Sequence, residues 1–127
     1  MRRGKPFQFR LDGGSGVPVY RQIIDQVSLA IAAGQLGSSA QLPTVRQVSV
    51  DLMINPNTVS KAYRELEIRG VLTTQQGIGT FVTEKKVKPD EAARQRRLSQ
   101  LAADCAAKAG AEGFTLAELI ERLGELA

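Results

Sequence analysis

Apolar residues recur along this chain as three helical stripes, a pair of short β-prone runs and two further helical stripes. Tyr20, Ile23, Ile24, Val27 and Ile31 fall on one face of a helix opened by Pro18 and ending near Gly34. Val45, Val48 and Leu52 mark a second helix, capped by Thr44. It stops near Met53, because a residue preceding proline favours extended backbone and Asn55 precedes Pro56. Val59, Ala62, Tyr63 and Leu66 mark a third helix, between Asn55 and Gly70. Asn55 suits the N-cap, since its side-chain oxygen can accept an unpaired N–H of the first turn. Pro56 suits the first helical position, and Gly70 supplies a left-handed stop. Asn57, Thr58, Ser60, Lys61 and Arg64 are left facing outward, all of them uncharged or cationic.

The remaining pattern fills in around these helices. Phe7, Phe9 and Leu11 alternate with Gln8 and Arg10, which predicts a short half-buried strand over residues 7–11. Residues 34–43 read as a turn-rich connection anchored by Leu36 and Leu42. Val71 to Gln76 and Thr80 to Thr83 are β-prone runs separated by Gly77-Ile78-Gly79, a hairpin with its tip at the glycines. The second and third helices, joined by a four-residue turn, have the layout of a helix-turn-helix, and the hairpin behind them is a wing.

Residues 84–90 are polar and cationic, and two more helices follow. The first, roughly Pro89 to Ala109, places Leu98, Leu101, Ala102, Cys105 and Ala109 on one side. The second opens on a capping box, Thr115 with Glu118, and carries Leu116, Leu119, Ile120, Leu123 and Leu126. Two amphipathic helices cannot bury both apolar faces by themselves. A second copy of the chain is the expected cover, so Leu98, Leu101, Cys105, Leu116, Leu119, Ile120 and Leu123 are the candidate dimerisation residues. The expected fold is mainly α with a small β wing (α+β). It comprises a winged helix-turn-helix domain over residues 1–83, including the strand at 7–11, a linker over 84–90 and a helical dimerisation tail over 91–127.

Charge sharpens this division. Of 17 Lys/Arg and 13 Asp/Glu in 127 residues, residues 1–88 hold twelve cations and six anions, and residues 89–127 hold five and seven. The first part is basic and the tail slightly acidic, so a polyanion is expected to meet the first part. One cysteine and no histidine exclude an intrachain disulfide, a Cys/His zinc site and nucleophile–histidine catalysis. Cys105, among alanines on an apolar face, is expected to serve packing. No metal and no cofactor is expected. The basic N-terminus lacks a following apolar segment and no run approaches a membrane span, so the chain is expected to be cytoplasmic, with no membrane partner.

Four segments together resemble the GntR family of bacterial transcription regulators: Pro18-Val-Tyr-Arg-Gln-Ile23, Leu42-Pro-Thr-Val-Arg46, Asn55 to Leu66, and Gly77-Ile-Gly-Thr-Phe-Val82. The short two-helix tail resembles the YtrA-type subfamily. The resemblance implies a homodimeric repressor on an inverted-repeat operator, with genes of an ABC transporter as its target. It implies that Arg46, Asn55, Asn57, Thr58 and Ser60 approach base edges, that Gln76, Gly77, Ile78 and Gly79 enter the minor groove, and that Tyr20, Gln22, Lys61, Tyr63 and Arg64 meet the phosphate backbone. Tyr63 also shares the apolar stripe of Val59 and Leu66, which favours a core position. Two departures stand out. The family usually has glycine where this chain has Ser39, and Leu-Ala where it has Val48-Ser49. The tail has no histidine and no evident effector pocket.

Two other function classes compete with this one. A winged helix can act as a protein-interaction module without specific DNA readout, but that role calls for an acidic or apolar outward face on the third helix. A fusion to an aminotransferase-like domain would make an enzyme, but such a domain needs far more chain. The interaction-module reading does not suit a face of Asn, Thr, Ser, Lys and Arg.

Overall fold

The computed structural model describes residues 7–84 and 90–127, which fall into two compact units divided after Glu84. In the first unit, α1 (Val19–Ala32), α2 (Val45–Leu52) and α3 (Pro56–Ile68) precede an antiparallel hairpin of β1 (Leu72–Gln75) and β2 (Gly79–Val82). In the second, α4 (Glu91–Ala111) and α5 (Leu116–Leu126) form a helical hairpin. Five residues of the expected linker, 85–89, lie outside the described residues.

Helix α3 is the centre of the first unit and packs against α1, α2 and β1. Its stripe of Val59, Ala62, Tyr63 and Leu66 is buried against Ile23, Ile24 and Val27 of α1 and Val48 of α2. Complete burial of a residue such as Ile23 or Leu66 contributes roughly 1.5–3 kcal/mol, which makes this junction the main source of the unit's stability. The two shorter helices are set by their caps. Thr44 and Gln47 form a reciprocal capping box on α2, and the Asn55 side chain accepts the Asn57 N–H at 2.8 Å on α3. Between them, Met53 takes the left-handed conformation that ends α2.

The expected strand over residues 7–11 does not form. The alternation does hold, with Phe9 buried, Phe7 and Leu11 half-buried and Gln8 and Arg10 exposed. The backbone, however, pairs with no strand among the described residues. Glutamine side chains of α1 take that place: Gln26 accepts from Arg10 N–H and donates to its carbonyl, and Gln22 does the same for Asp12. Alternation reports which face is buried, but not what pairs with the backbone.

The connection before α2 is more ordered than its turn-rich sequence suggests. Ser39 N–H donates to Val82 O, Val82 N–H to Ala40 O, and Leu42 N–H to Thr80 O, at 2.8–3.0 Å, so residues 39–42 line the edge of β2. Leu36 and Leu42 anchor this segment in the core. Ser39 has φ +66° and accepts the left-handed backbone without a glycine's freedom.

The second unit is capped as well as the first. Asp90 accepts from Ala92 and Ala93 N–H on α4, and Thr115 and Glu118 form the capping box on α5. The backbone N–H of Thr115, and then its hydroxyl, hold the Glu118 carboxyl below the usual carboxylate range. No described residue of α4 or α5 is buried.

Candidate nucleic-acid interface

The buried stripe of α3 dictates what its opposite face shows. Asn57, Ser60, Lys61 and Arg64 are spaced i, i+3, i+4 and i+7, so they form one exposed stripe, with Thr58 half-buried beside it. The stripe begins at the helix N-terminus, where the unpaired N–H groups and the helix dipole favour an anion. The capping bond uses the Asn55 side-chain oxygen, which leaves its amide N–H groups available.

Cations on this unit divide into neutralised and free ones. Arg21 pairs with Asp25 and Arg69 with Glu65, each at 3.5 Å along its own helix. Among the described residues, Arg10 before α1, Arg46 in the first turn of α2 and Arg64 on α3 are exposed and have no carboxylate partner. Lys61 places its ammonium 4.0 Å from the centre of the Tyr20 ring, a cation–π contact that ties α1 to α3 while keeping the charge at the surface.

Two of the expected phosphate-contacting residues are engaged inside the unit. Gln22 is buried, and its amide donates to Asp12 O, Ser15 Oγ and Val17 O while its oxygen accepts from Asp12 N–H. With its hydrogen bonds spent on the 12–17 loop, Gln22 positions the start of α1 instead of reaching outward. Tyr63 is buried, and its hydroxyl donates to Pro43 O at 2.6 Å. Burial pushes its phenol well above the ordinary tyrosine range. The core position suggested by its stripe is the one it occupies, and from there it fixes the entry to α2 and hence Arg46.

The wing presents a three-residue tip. Its strands pair from Leu72–Val82 to Gln75–Gly79, and Ile78 N–H donates to Gln75 O at 2.9 Å to close the turn. Gln76, Gly77 and Ile78 are exposed, with Gly77 at φ +79° and Gly79 at φ +150°, backbone that side chains rarely adopt. Gln41 backs this tip: it bridges Phe81, its amide reaches Ile78 O at 3.5 Å, and a Cβ on Gly79 would meet that amide nitrogen at 2.6 Å. Gln41 was not among the residues singled out from the sequence. The alternation of polar Ser39 and Gln41 with apolar Ala40 and Leu42 is the signal the sequence offers for it.

In the second unit, Leu98, Leu101, Leu116, Ile120 and Leu123 are 47–64% exposed, Cys105 is a free exposed thiol, and Leu119 is half-buried. A shallow cleft of about 250 Å³ between α4 and α5 is lined by Ala109, Phe114, Glu118, Leu119 and Arg122. A second cleft, about 390 Å³, lies in the first unit between residues 7–9 and α2, with Asp51 the one charged group among the described residues that line it. Among the described residues no cluster of His, Cys, Asp and Glu could hold a metal, and no helix is long and apolar enough to cross a membrane.

Residues 19–82, half of the chain, match the family described as bacterial regulatory proteins, gntR family. Over 75 residues the chain is 41% identical to the HTH-type transcriptional repressor YtrA of Bacillus subtilis, spanning 59% of this chain and a little over half, 58%, of that relative. A transcriptional antiterminator from Listeria monocytogenes is similar over 95% of this chain and 90% of its own, with a TM-score of 0.69 and 26% identity. The DNA-binding domain of AraR, solved in complex with operator ORX1, is similar over 63% of this chain and all of its own, with a TM-score of 0.54 and 25% identity. The chain belongs to the GntR family of bacterial regulatory proteins.

Proposed function

We propose that this GntR-family chain is a homodimeric repressor that reads an inverted-repeat operator through α2, α3 and the wing. The observation that carries the proposal is that one unit holds the exposed 57-60-61-64 stripe, an exposed Arg46 with no carboxylate partner among the described residues, and an exposed wing tip. Arg46, Asn57, Thr58 and Ser60, with the free amide of Asn55, are assigned to base edges in the major groove. Arginine on guanine is the commonest contact of that kind. Lys61, Arg64 and the Tyr20 hydroxyl are assigned to phosphates, which set register without reading sequence. Gln76 to Gly79 are assigned to the minor groove.

A two-fold operator needs two reading heads, and the apolar faces of α4 and α5 supply a surface for a second copy. Repression is supported by the name of the Bacillus subtilis relative, and an ABC-transporter operon as the target by the resemblance to the YtrA type. Selection of duplexes from a random pool, followed by binding measurements across salt concentrations, tests the assignment. Log K should fall with log salt by about 0.9 per phosphate neutralised. Arg46→Ala should cost about 1–3 kcal/mol and relax one base position, while Arg64→Ala weakens all sequences alike. Operator discrimination that survives Arg46→Ala would sink the base-reading role.

A further inference from the structure

The wing tip carries a residue that its local structure does not favour. Tight turns are built from Gly, Asn, Asp, Ser and Pro, and β-branched side chains are stiff at χ1. Yet the tip places Ile78, 67% exposed, between Gly77 and Gly79. Ile78 has no hydrogen-bonding side-chain atom, and its exposure shows that the core does not require it. The tip beneath it is held in place. The Thr74 and Thr80 hydroxyls lie 3.2 Å apart across the strands, Leu42 N–H ties Thr80 O to the neighbouring segment, and Gln41 sits against Gly79 and reaches the Ile78 carbonyl. An apolar side chain on a buttressed tip, against the preference of the turn, marks a functional position.

We infer that Ile78 selects A·T pairs in the minor groove by refusing the 2-amino group of guanine, with Gln41 as the positioning residue that holds it there. The inference rests on the minor-groove assignment of the wing proposed above. The chemistry is a difference between bases. Both kinds of pair present purine N3 and pyrimidine O2 acceptors on the groove floor, so their desolvation cancels. Only G·C adds the guanine N2–H₂ donor. Under an isoleucine side chain that donor has neither room nor partner, and burying it unpaired is unfavourable.

Hypoxanthine separates this from major-groove readout, because an I·C pair keeps the major-groove face of G·C and lacks the 2-amino group, and the Ile78 variants separate it from readout of groove shape. In duplexes selected for the wild-type chain, each A·T pair flanking the half-site is replaced by G·C or by I·C, and affinities are compared by fluorescence anisotropy. At the wing position G·C should bind about tenfold more weakly than A·T, a 1.4 kcal/mol difference, and I·C should restore the affinity. Ile78→Ala should erase the G·C against I·C difference, read as the ratio of the two affinities within that variant. Ile78→Asn, which offers an amide oxygen to N2–H₂, should move the preference toward G·C. Gln41→Ala should shrink the difference without changing discrimination at major-groove positions. I·C binding as weakly as G·C throughout, or discrimination unchanged in Ile78→Ala, would overturn the inference and leave major-groove reading intact. Failure to enrich any duplex would instead remove the DNA-reading proposal and this one with it.

Discussion

The two units of this chain spend similar local chemistry on different ends. Both have capped helices with regular apolar stripes, and α5 has as good a capping box as α2. In the first unit the stripes meet one another. The buried cluster runs from Phe9 to Val82, with Ile23, Val59 and Leu66 sealed from solvent. In the second unit, leucines of the same quality stay about half exposed. Well-formed helices are therefore not evidence of a core. A unit of three helices and a hairpin has enough surfaces to close on itself, and a hairpin of two helices does not. Under the proposed function, the first unit holds the shape that reads DNA, and the second, with its apolar faces exposed, is completed by a second copy.

The largest effect should come from breaking the first unit's closure. Leu66→Ala removes a sealed side chain at the meeting of α1, α2 and α3, and should cost about 2–5 kcal/mol in urea unfolding. That loss should not depend on protein concentration. If it did, the core of the first unit would depend on association.

Next comes the second unit. Leu119→Glu with Leu123→Glu should dissociate the dimer in sedimentation while the near-ultraviolet signal of the winged unit stays intact. Operator affinity should fall on the order of 100-fold as two linked heads become one. A variant that remained dimeric would move the interface away from α5.

Tyr63→Phe should cost about 1–3 kcal/mol, because Pro43 O is left without its donor. Its pH signature has a definite sign. Burial raises the folded-state pKa of Tyr63, so its contribution is complete below the ordinary tyrosine pKa of about 10 and is lost as pH rises beyond it. The Tyr63→Phe variant should lack that part of the alkaline loss, and an identical alkaline profile in variant and wild type would mean that Tyr63 is not sealed.

The smallest effect should be a gain. Ser39→Gly relieves the left-handed backbone at φ +66°, a cost of roughly 1–2 kcal/mol partly offset by the freer unfolded chain, for a net stabilisation of about 0.5–1 kcal/mol. No change in thermal midpoint would show that Ser39 bears that conformation without strain.

Helix positions, the caps at Thr44, Asn55 and Thr115, and the hairpin with its glycine tip could all be read from residue order. Each depends on contacts within a few positions: a stripe repeats every 3.6 residues, and a cap reaches two or three residues ahead. The outward stripe of α3 followed for the same reason, since naming its buried face names the other.

What residue order could not supply was the pairing of distant groups. The same polar side chain serves as a surface contact or a structural brace according to its neighbour in space. Gln22 and Gln26 became the backbone partners of residues 10–12, Tyr63 a support for Pro43, and Lys61 a cation on Tyr20. The segment 39–42 became an edge to the wing because β2, far along the chain, lay beside it. Local periodicity carries no address for such partners. The core decides them by bringing α1, α2 and the hairpin onto α3, and in doing so it determines which residues of the chain remain free to meet DNA.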